Sequence, residues 1–394
     1  MQTGDRQAIV PTTLGGAVTE RLARVRCHNL EVPYTYPIIE QEMRHPVNLV
    51  EVETESGVYG YGLASYPMRR GIREFVNHEL DPEVRGMDPR RTAQIRQTAY
   101  QALSSKFTTG LFACAMSLVD IALWDVKGQL ADEPVWQLLG GGRDRAPVYA
   151  TFGLPAYDDG QLVEAAKLMV SQGHNRLKMA IAAGTDPVDG LYGQPSDDDL
   201  RRDVARVYAV RDAVGPDVEV MIDANKNITY AQALWLAQRL EEANLAWFED
   251  PLPQGDPRLL AQLRRRTSIP LAAGSTGTGD LMAFREYLVN ESVDIIQPNV
   301  RDIGGLTGGI KAAAIAEAFN ATMAMGGNWP HINLHLHGAV SNGGLVEVSA
   351  RANQIAAALF EGTVVPTPPF IEMPRGSGLG YRLRSGVVDE YTPA

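Results

Sequence analysis

Along residues 47–55 the sequence VNLVEVETE alternates apolar and polar side chains, the period of a strand with one buried face, and Gly57 then marks a turn. Residues 21–30 can pair with it as an earlier strand. Between them, 33–46 (PYTYPIIEQEMRHP) reads as a loop rich in proline, tyrosine and charge. From residue 89 to 139 the period becomes helical. Thr109, Gly110 and Leu111 open FACAMSLVDIALWDVKGQL, whose apolar positions recur every three or four residues. After Gly140, Gly141 and Gly142 the pattern changes again, to short β-branched runs alternating with amphipathic helices. The runs predict strands at 148–151, 176–181, 218–222, 246–248, 271–273, 295–297, 322–325 and 345–348. Eight such units in roughly 200 residues are what a closed parallel barrel requires. An open doubly wound sheet fits less well, because no Gly-x-Gly-x-x-Gly turn follows the first strand.

At 394 residues the chain is too long for one ordinary core, so two domains are expected. Apolar residues make up 45% and charged residues 21%, as in a soluble globular protein. No apolar run reaches the roughly 18 residues of a membrane span. The longest, at 312–325, is interrupted by Glu317 and Asn320. The opening MQTGDRQAIVPTTLGG lacks the charged-then-apolar order of a signal peptide and reads as a polar tail. Cys27 and Cys114, far apart in a large chain, suggest free thiols in a reducing compartment, hence a cytoplasmic protein. The net charge of −11 argues against nucleic acid as a partner. A small anion can still bind where local cations overcome that field.

In a barrel of this kind the chemistry sits at the C-terminal ends of the strands. The third predicted strand ends at Asp223, followed by Ala224, Asn225 and Lys226. The fourth ends at Glu249, followed by Asp250 and Pro251. The fifth leads to Gly274 and Ser275. These places recur at the spacing of one βα repeat, so their side chains should converge on one mouth. A lone acid at a strand end reads most simply as a helix cap. Two at equal spacing point instead to a hard divalent cation such as Mg²⁺.

The chain resembles the mandelate racemase-like branch of the enolase superfamily over nearly its whole length. The resemblance is carried by AMSLVDIALWD at 115–125, PVWQLLGG at 134–141, Asp223-Ala224-Asn225, Glu249-Asp250-Pro251-Leu252, and Gln297-Pro298-Asn299 with Gly304-Gly305 behind. It implies an α+β N-terminal capping domain (1–145, the first about 18 residues a tail), a modified (β/α)₈ TIM barrel (146–355), and a C-terminal segment (356–394) returning to the cap. It also implies a homo-oligomer and a Mg²⁺ ion that binds a substrate carboxylate. The chemistry implied is removal of the proton beside that carboxylate, with the metal stabilising the resulting enediolate.

Several positions depart from the family pattern. Lys178 keeps the first basic place on strand two, but Ala180 stands where a second residue would act as base. Ser275 replaces an acidic third metal ligand, which would weaken or abolish Mg²⁺ binding unless Asp280 reaches in. The Gly/Thr-rich loop 274–280 could instead offer backbone N–H groups to an anion. Asn299 replaces the acid that would pair with His331, and Glu347 matches an acidic electrophile on strand eight. His331 is the expected base, supported by Lys178 and Asn299, with Lys226 as its substitute; each also reads as an ordinary packed or surface residue. His331 and His335 would share a helix face, as a two-histidine metal site or as packed histidines. The segment 182–199 is long for a βα loop, which suits a lid shared with 33–46, a spacer or an oligomer contact. The expected activity is dehydration of a small hydroxy-carboxylate, an acid sugar or its lactone. The alternatives are a cycloisomerase or epimerase on a related substrate, and a ligand-binding barrel that has lost metal-dependent catalysis.

Overall fold

The computed structural model describes residues 20–39, 41–104, 109–153, 157–183, 195–274 and 281–393. Three strands, β1 (Leu22–Thr35), β2 (Glu42–Thr54) and β3 (Tyr59–Ala64), form an antiparallel meander in that order. The expected loop at 33–46 is mostly strand, since β1 and β2 stay in register from Leu22 opposite Thr54 to Thr35 opposite Glu42. Proline is tolerated there because β3 pairs with β2 only up to Asn48, leaving Pro46 on an open edge. The turn therefore shrinks to a short tip around Tyr36.

The eight predicted barrel strands are all present. They are β4 (Arg145–Gly153), β5 (Arg176–Ala180), β6 (Glu219–Asp223), β7 (Leu245–Glu249), β8 (Leu271–Ala273), β9 (Ile295–Ile296), β10 (Thr322–Met323) and β11 (Val346–Val348). Each pairs in parallel with the next from β4 to β10, and β11 pairs with β4. The remaining seam is bridged where Met325 N–H donates to the Leu345 carbonyl at 2.8 Å. The result is a modified (β/α)₈ barrel beside an α+β unit. Outward-facing Leu177, Met179, Val220, Ile222 and Phe248 pack in the main core. Tyr149, Met221, Trp247, Ala272 and Ala324 form a separate cluster, and strand alternation turns Tyr149, Met221 and Trp247 inward, away from that core. Among the described residues no helix is long and apolar enough to cross a membrane.

The 115–125 motif lies on the buried Gly110–Ala131 helix and works as a fastener. Gly60 and Gly62 let this helix rest on β3, because a Cβ at either would sit about 2 Å from a helix carbonyl (2.2 Å from Ala122, 2.1 Å from Leu118). On one side, Asp120 accepts from Thr307 N–H at 3.0 Å and from its hydroxyl at 2.6 Å, at the start of the helix that follows β9. On the other, Asp125 accepts from Tyr61 N–H of β3 at 3.0 Å and from Leu379 N–H at 2.8 Å. The C-terminal segment also adds a strand, Phe370–Glu372, antiparallel to β4.

Asp125→Ala would leave two buried N–H groups without an acceptor, an expected cost of about 2–4 kcal/mol read from urea midpoints. Burial pushes the Asp125 carboxyl from 3.8 up to about 7. A raised folded-state pKa means its stabilisation is fully present below the unfolded value and fades as pH rises through the folded one. The defect is therefore expected to be larger at about pH 5 than at about pH 8.

Candidate active site

Strand register brings three acids to one ammonium. Asp223 lies opposite Ala180 on one neighbour and Glu249 on the other, so the ends of β5, β6 and β7 are level. Lys178, two residues before Ala180, points inward with them. Its Nζ lies 2.7 Å from Glu249 Oε1, 3.3 Å from Asp223 Oδ2 and 3.6 Å from Glu347 Oε1. Lys178 is 2% exposed and Glu249 not at all, so these charges act without solvent screening. Beneath them Nζ also sits 5.3 Å from the Tyr149 ring centre, on its face.

The remaining lone pairs are held as well. Glu249 Oε2 accepts from Gln297 Nε2 at 2.8 Å and from Trp247 Nε1 at 3.1 Å. Glu347 accepts from the Thr151 hydroxyl and, at 2.9 Å, from Asn328 N–H. Burial alone would discharge Lys178, but Glu249, Glu347, Tyr149 and Asp223 more than reverse this and hold it well above its ordinary pKa. Burial pushes Glu249 up to about 7 against the pull of Lys178, and raises Asp223 likewise. For Glu347, Lys178, Thr151 and Asn328 N–H outweigh burial, leaving it below its ordinary value. One fixed ammonium thus faces more carboxylate than it can neutralise.

Backbone strain marks the same face. Ala182, Asn225, Lys226, Asp250, Asn328 and Trp329 all have φ between 41° and 65° without being glycine. They follow the C-terminal ends of β5, β6, β7 and β10. Such conformations cost on the order of 1–3 kcal/mol each and gather at functional sites.

Residues 161–387 match the enolase C-terminal domain-like family, and residues 24–140 match the mandelate racemase/muconate lactonizing enzyme N-terminal domain. The chain belongs to this family of the enolase superfamily. It is 28% identical to the arabinonate dehydratase of Saccharolobus solfataricus, over 88% of this chain and 91% of that one. It is 31% identical to the D-galactarolactone cycloisomerase of Agrobacterium fabrum, over 73% of this chain and 72% of that one. The crystal structure of L-talarate dehydratase from Polaromonas sp. JS666, complexed with Mg and L-glucarate, superposes with a TM-score of 0.80. That structure is 26% identical, with 95% of this chain and 98% of that one covered.

Of the residues expected at the site of this family member, Lys178, Asp223, Glu249 and Glu347 converge. Lys226 stands beside them, its Nζ 3.8 Å from Asp250 Oδ2 and its N–H bonded to the Asp250 carbonyl at 2.7 Å. Ser275 and Asp280 lie outside the described residues, as does most of the loop 182–199. The expected Asn299–His331 pair does not form. Asn299 Oδ1 accepts from Asn333 Nδ2 at 3.0 Å and from Arg301 N–H at 3.3 Å, while its amide donates to the Gly327 carbonyl at 3.2 Å. His331 turns to Leu63, Phe360 and Tyr381 and bonds the Val364 backbone, with burial lowering its pKa to about 4. The physical reason is its place near the start of the Pro330–Ala339 helix, which packs this turn against the C-terminal segment.

His335 meets the Leu379 carbonyl at 3.3 Å, and His337 Nδ1 accepts from Gly344 N–H at 3.0 Å, so both are packed histidines. Among the described residues no three His, Cys, Asp or Glu side chains form a metal-ligand group by themselves. His331→Gln is expected to leave turnover within about threefold of the parent, since no reacting atom is within the ring's reach; a loss of several orders of magnitude in kcat would contradict this placement.

Sequence reasoning missed Gln297, Trp247, Thr151 and Asn328. The first two were legible in principle: each stands two residues before a strand-end residue already singled out, on the same inward phase.

Proposed function

We propose that the chain is a Mg²⁺-dependent enzyme that removes the proton beside the carboxylate of an acid sugar or its lactone, with dehydration as the outcome. The observation that carries this is the buried excess of carboxylate around Lys178 at the C-terminal mouth of the barrel. That excess fits a divalent cation held by Asp223 and Glu249. A bound Mg²⁺ would supply Lewis-acid neutralisation of the charge that develops on the substrate carboxylate. Magnesium also accompanies relatives with this fold, including the L-talarate dehydratase above.

The chain's own groups do the rest. The Lys178 ammonium binds the substrate carboxylate, and Glu347, pinned by Thr151 and Asn328 N–H, fixes that ammonium in place. Lys226 Nζ, on the strained turn after Asp223, takes the α-proton. A neighbouring cation favours its neutral form. The C–O bond to the β-hydroxyl then breaks, and the same Nζ returns its proton to the departing oxygen, which leaves as water. The 31% identical cycloisomerase favours a second reading with the same first step, in which the leaving oxygen belongs to a lactone ring. A cytoplasmic homo-oligomer remains part of the proposal, checked by light scattering of the purified protein.

The test is incubation of the protein with Mg²⁺ and D-arabinonate, D-gluconate or galactarate in D₂O. Deuterium at the α-carbon and a 2-keto-3-deoxy product are expected. No exchange with any of them, together with no divalent uptake by calorimetry, would leave a ligand-binding barrel.

A further inference from the structure

Beside the Lys178 cluster, between the three-stranded sheet and the barrel mouth, lies a second pocket of about 110 Å³. His45 and Ser65 line it from the sheet, and Arg301, Asn328, Trp329 and Arg351 from the barrel. Arg301 follows the end of β9 and Arg351 the end of β11, which puts both on the catalytic face. Among the described residues, Arg301 is paired with Asp302 at 3.0 Å, whereas Arg351 makes no ion pair. No acid is among the residues that line the pocket. Burial, then Arg351 and Arg301, lower the His45 pKa to about 4, so the imidazole is neutral at pH 7 and the pocket keeps an uncompensated positive charge. In a chain of net charge −11 such a spot is built against the general field.

The pocket is one residue away from the proposed chemistry. Asn328 lines it and also donates its N–H to Glu347. A larger cavity of about 350 Å³ shares Asn328 and Arg351 and reaches Thr151, the other donor to Glu347. Open space thus runs from the Glu347 donors to Arg351, in the size range of small-molecule sites, roughly 300–1,000 Å³.

Resting on the function proposed above, we infer that this pocket is a second anion site, for a carboxylate or phosphate at the far end of the substrate, so that the preferred substrate is a sugar acid with two anionic ends. Arg351 supplies the charge, the Ser65 hydroxyl and neutral His45 supply hydrogen bonds, and Arg301 holds the wall in place through Asp302 and the Ser65 carbonyl at 3.4 Å.

Two measurements test it. Inorganic phosphate titrated into the full chain in EDTA should bind saturably by calorimetry and raise the His45 pKa followed by NMR. Arg351→Gln should weaken phosphate by about tenfold, the scale of one charge-assisted contact, and Arg351→Lys should keep most of the affinity. Half-exposed and outside any ion pair with the described residues, Arg351 can change without unfolding the chain. Equal phosphate affinity in parent and Arg351→Gln overturns the site.

In turnover, Arg351→Gln should raise KM for galactarate by about tenfold and leave kcat/KM for galactonate unchanged. Equal losses on both, or no parental preference for the doubly anionic acid, overturns it. A preference for 6-phosphogluconate over galactarate assigns the pocket to phosphate, and the reverse to carboxylate. If no sugar acid turns over, the proposed function fails while the phosphate titration still decides the site.

Discussion

Lys178→Met protein, freed of metal with EDTA at about pH 8, is expected to lose about 3–5 kcal/mol of unfolding free energy, because removing one partner of a buried ion pair leaves uncompensated charge. Here the debt is larger than in a simple pair, since three carboxylates within 3.6 Å lose their common cation. Methionine nearly conserves the volume, so packing contributes little. Urea midpoints give the size. Mg²⁺ added back should recover part of the stability by mass action, because a cation bound only by the folded chain shifts the equilibrium toward it. Turnover should stay absent even then, since nothing else in the site binds the substrate carboxylate as Lys178 does. Unchanged stability in EDTA would mean that Lys178 does not neutralise this cluster.

Glu249→Gln separates metal from fold. The amide has the same shape and keeps a carbonyl oxygen for one of Trp247 and Gln297, and Lys178 retains Asp223 and Glu347. Stability should fall by no more than about 1–2 kcal/mol, the scale of one hydrogen bond lost in the interior. Divalent affinity should instead collapse, because a neutral amide replaces one of two charged ligands. If cation-based charge stabilisation carries about 4 kcal/mol of the barrier, kcat falls roughly 10³-fold. Calorimetric titration with Mg²⁺ and the rate of α-deuterium exchange are the readouts. Retained metal affinity would move the cation elsewhere in the chain.

The eight barrel strands, and the inward direction of Lys178, Asp223, Glu249 and Glu347, were legible in the sequence by itself. Both rest on local rules: a β-branched run between turn residues makes a strand, and alternation decides which side each residue faces. Equal repeat spacing then brings successive strand ends level, as the Asp223–Glu249 register bears out. The loop expected at 33–46 was misread for a related reason, since a proline excludes a paired position and only the length of β3 decides that Pro46 is unpaired.

Partners far along the chain were decided by the tertiary structure alone. Asn299 and His331 look like neighbours from adjacent strand ends, yet Asn299 takes Asn333, 34 residues on, and His331 takes the backbone of the C-terminal segment. Asp125 finds Leu379 at a separation of 254 residues, which turns a motif that reads as a family signature into a fastener between helix, sheet and C-terminus. No spacing rule reaches so far, because each polar group must be satisfied by whatever the completed packing brings within hydrogen-bond range. The balance of charge belongs to the same class. Four ionisable groups at strand ends are visible in the sequence, but only their burial around a single ammonium makes the site short of positive charge.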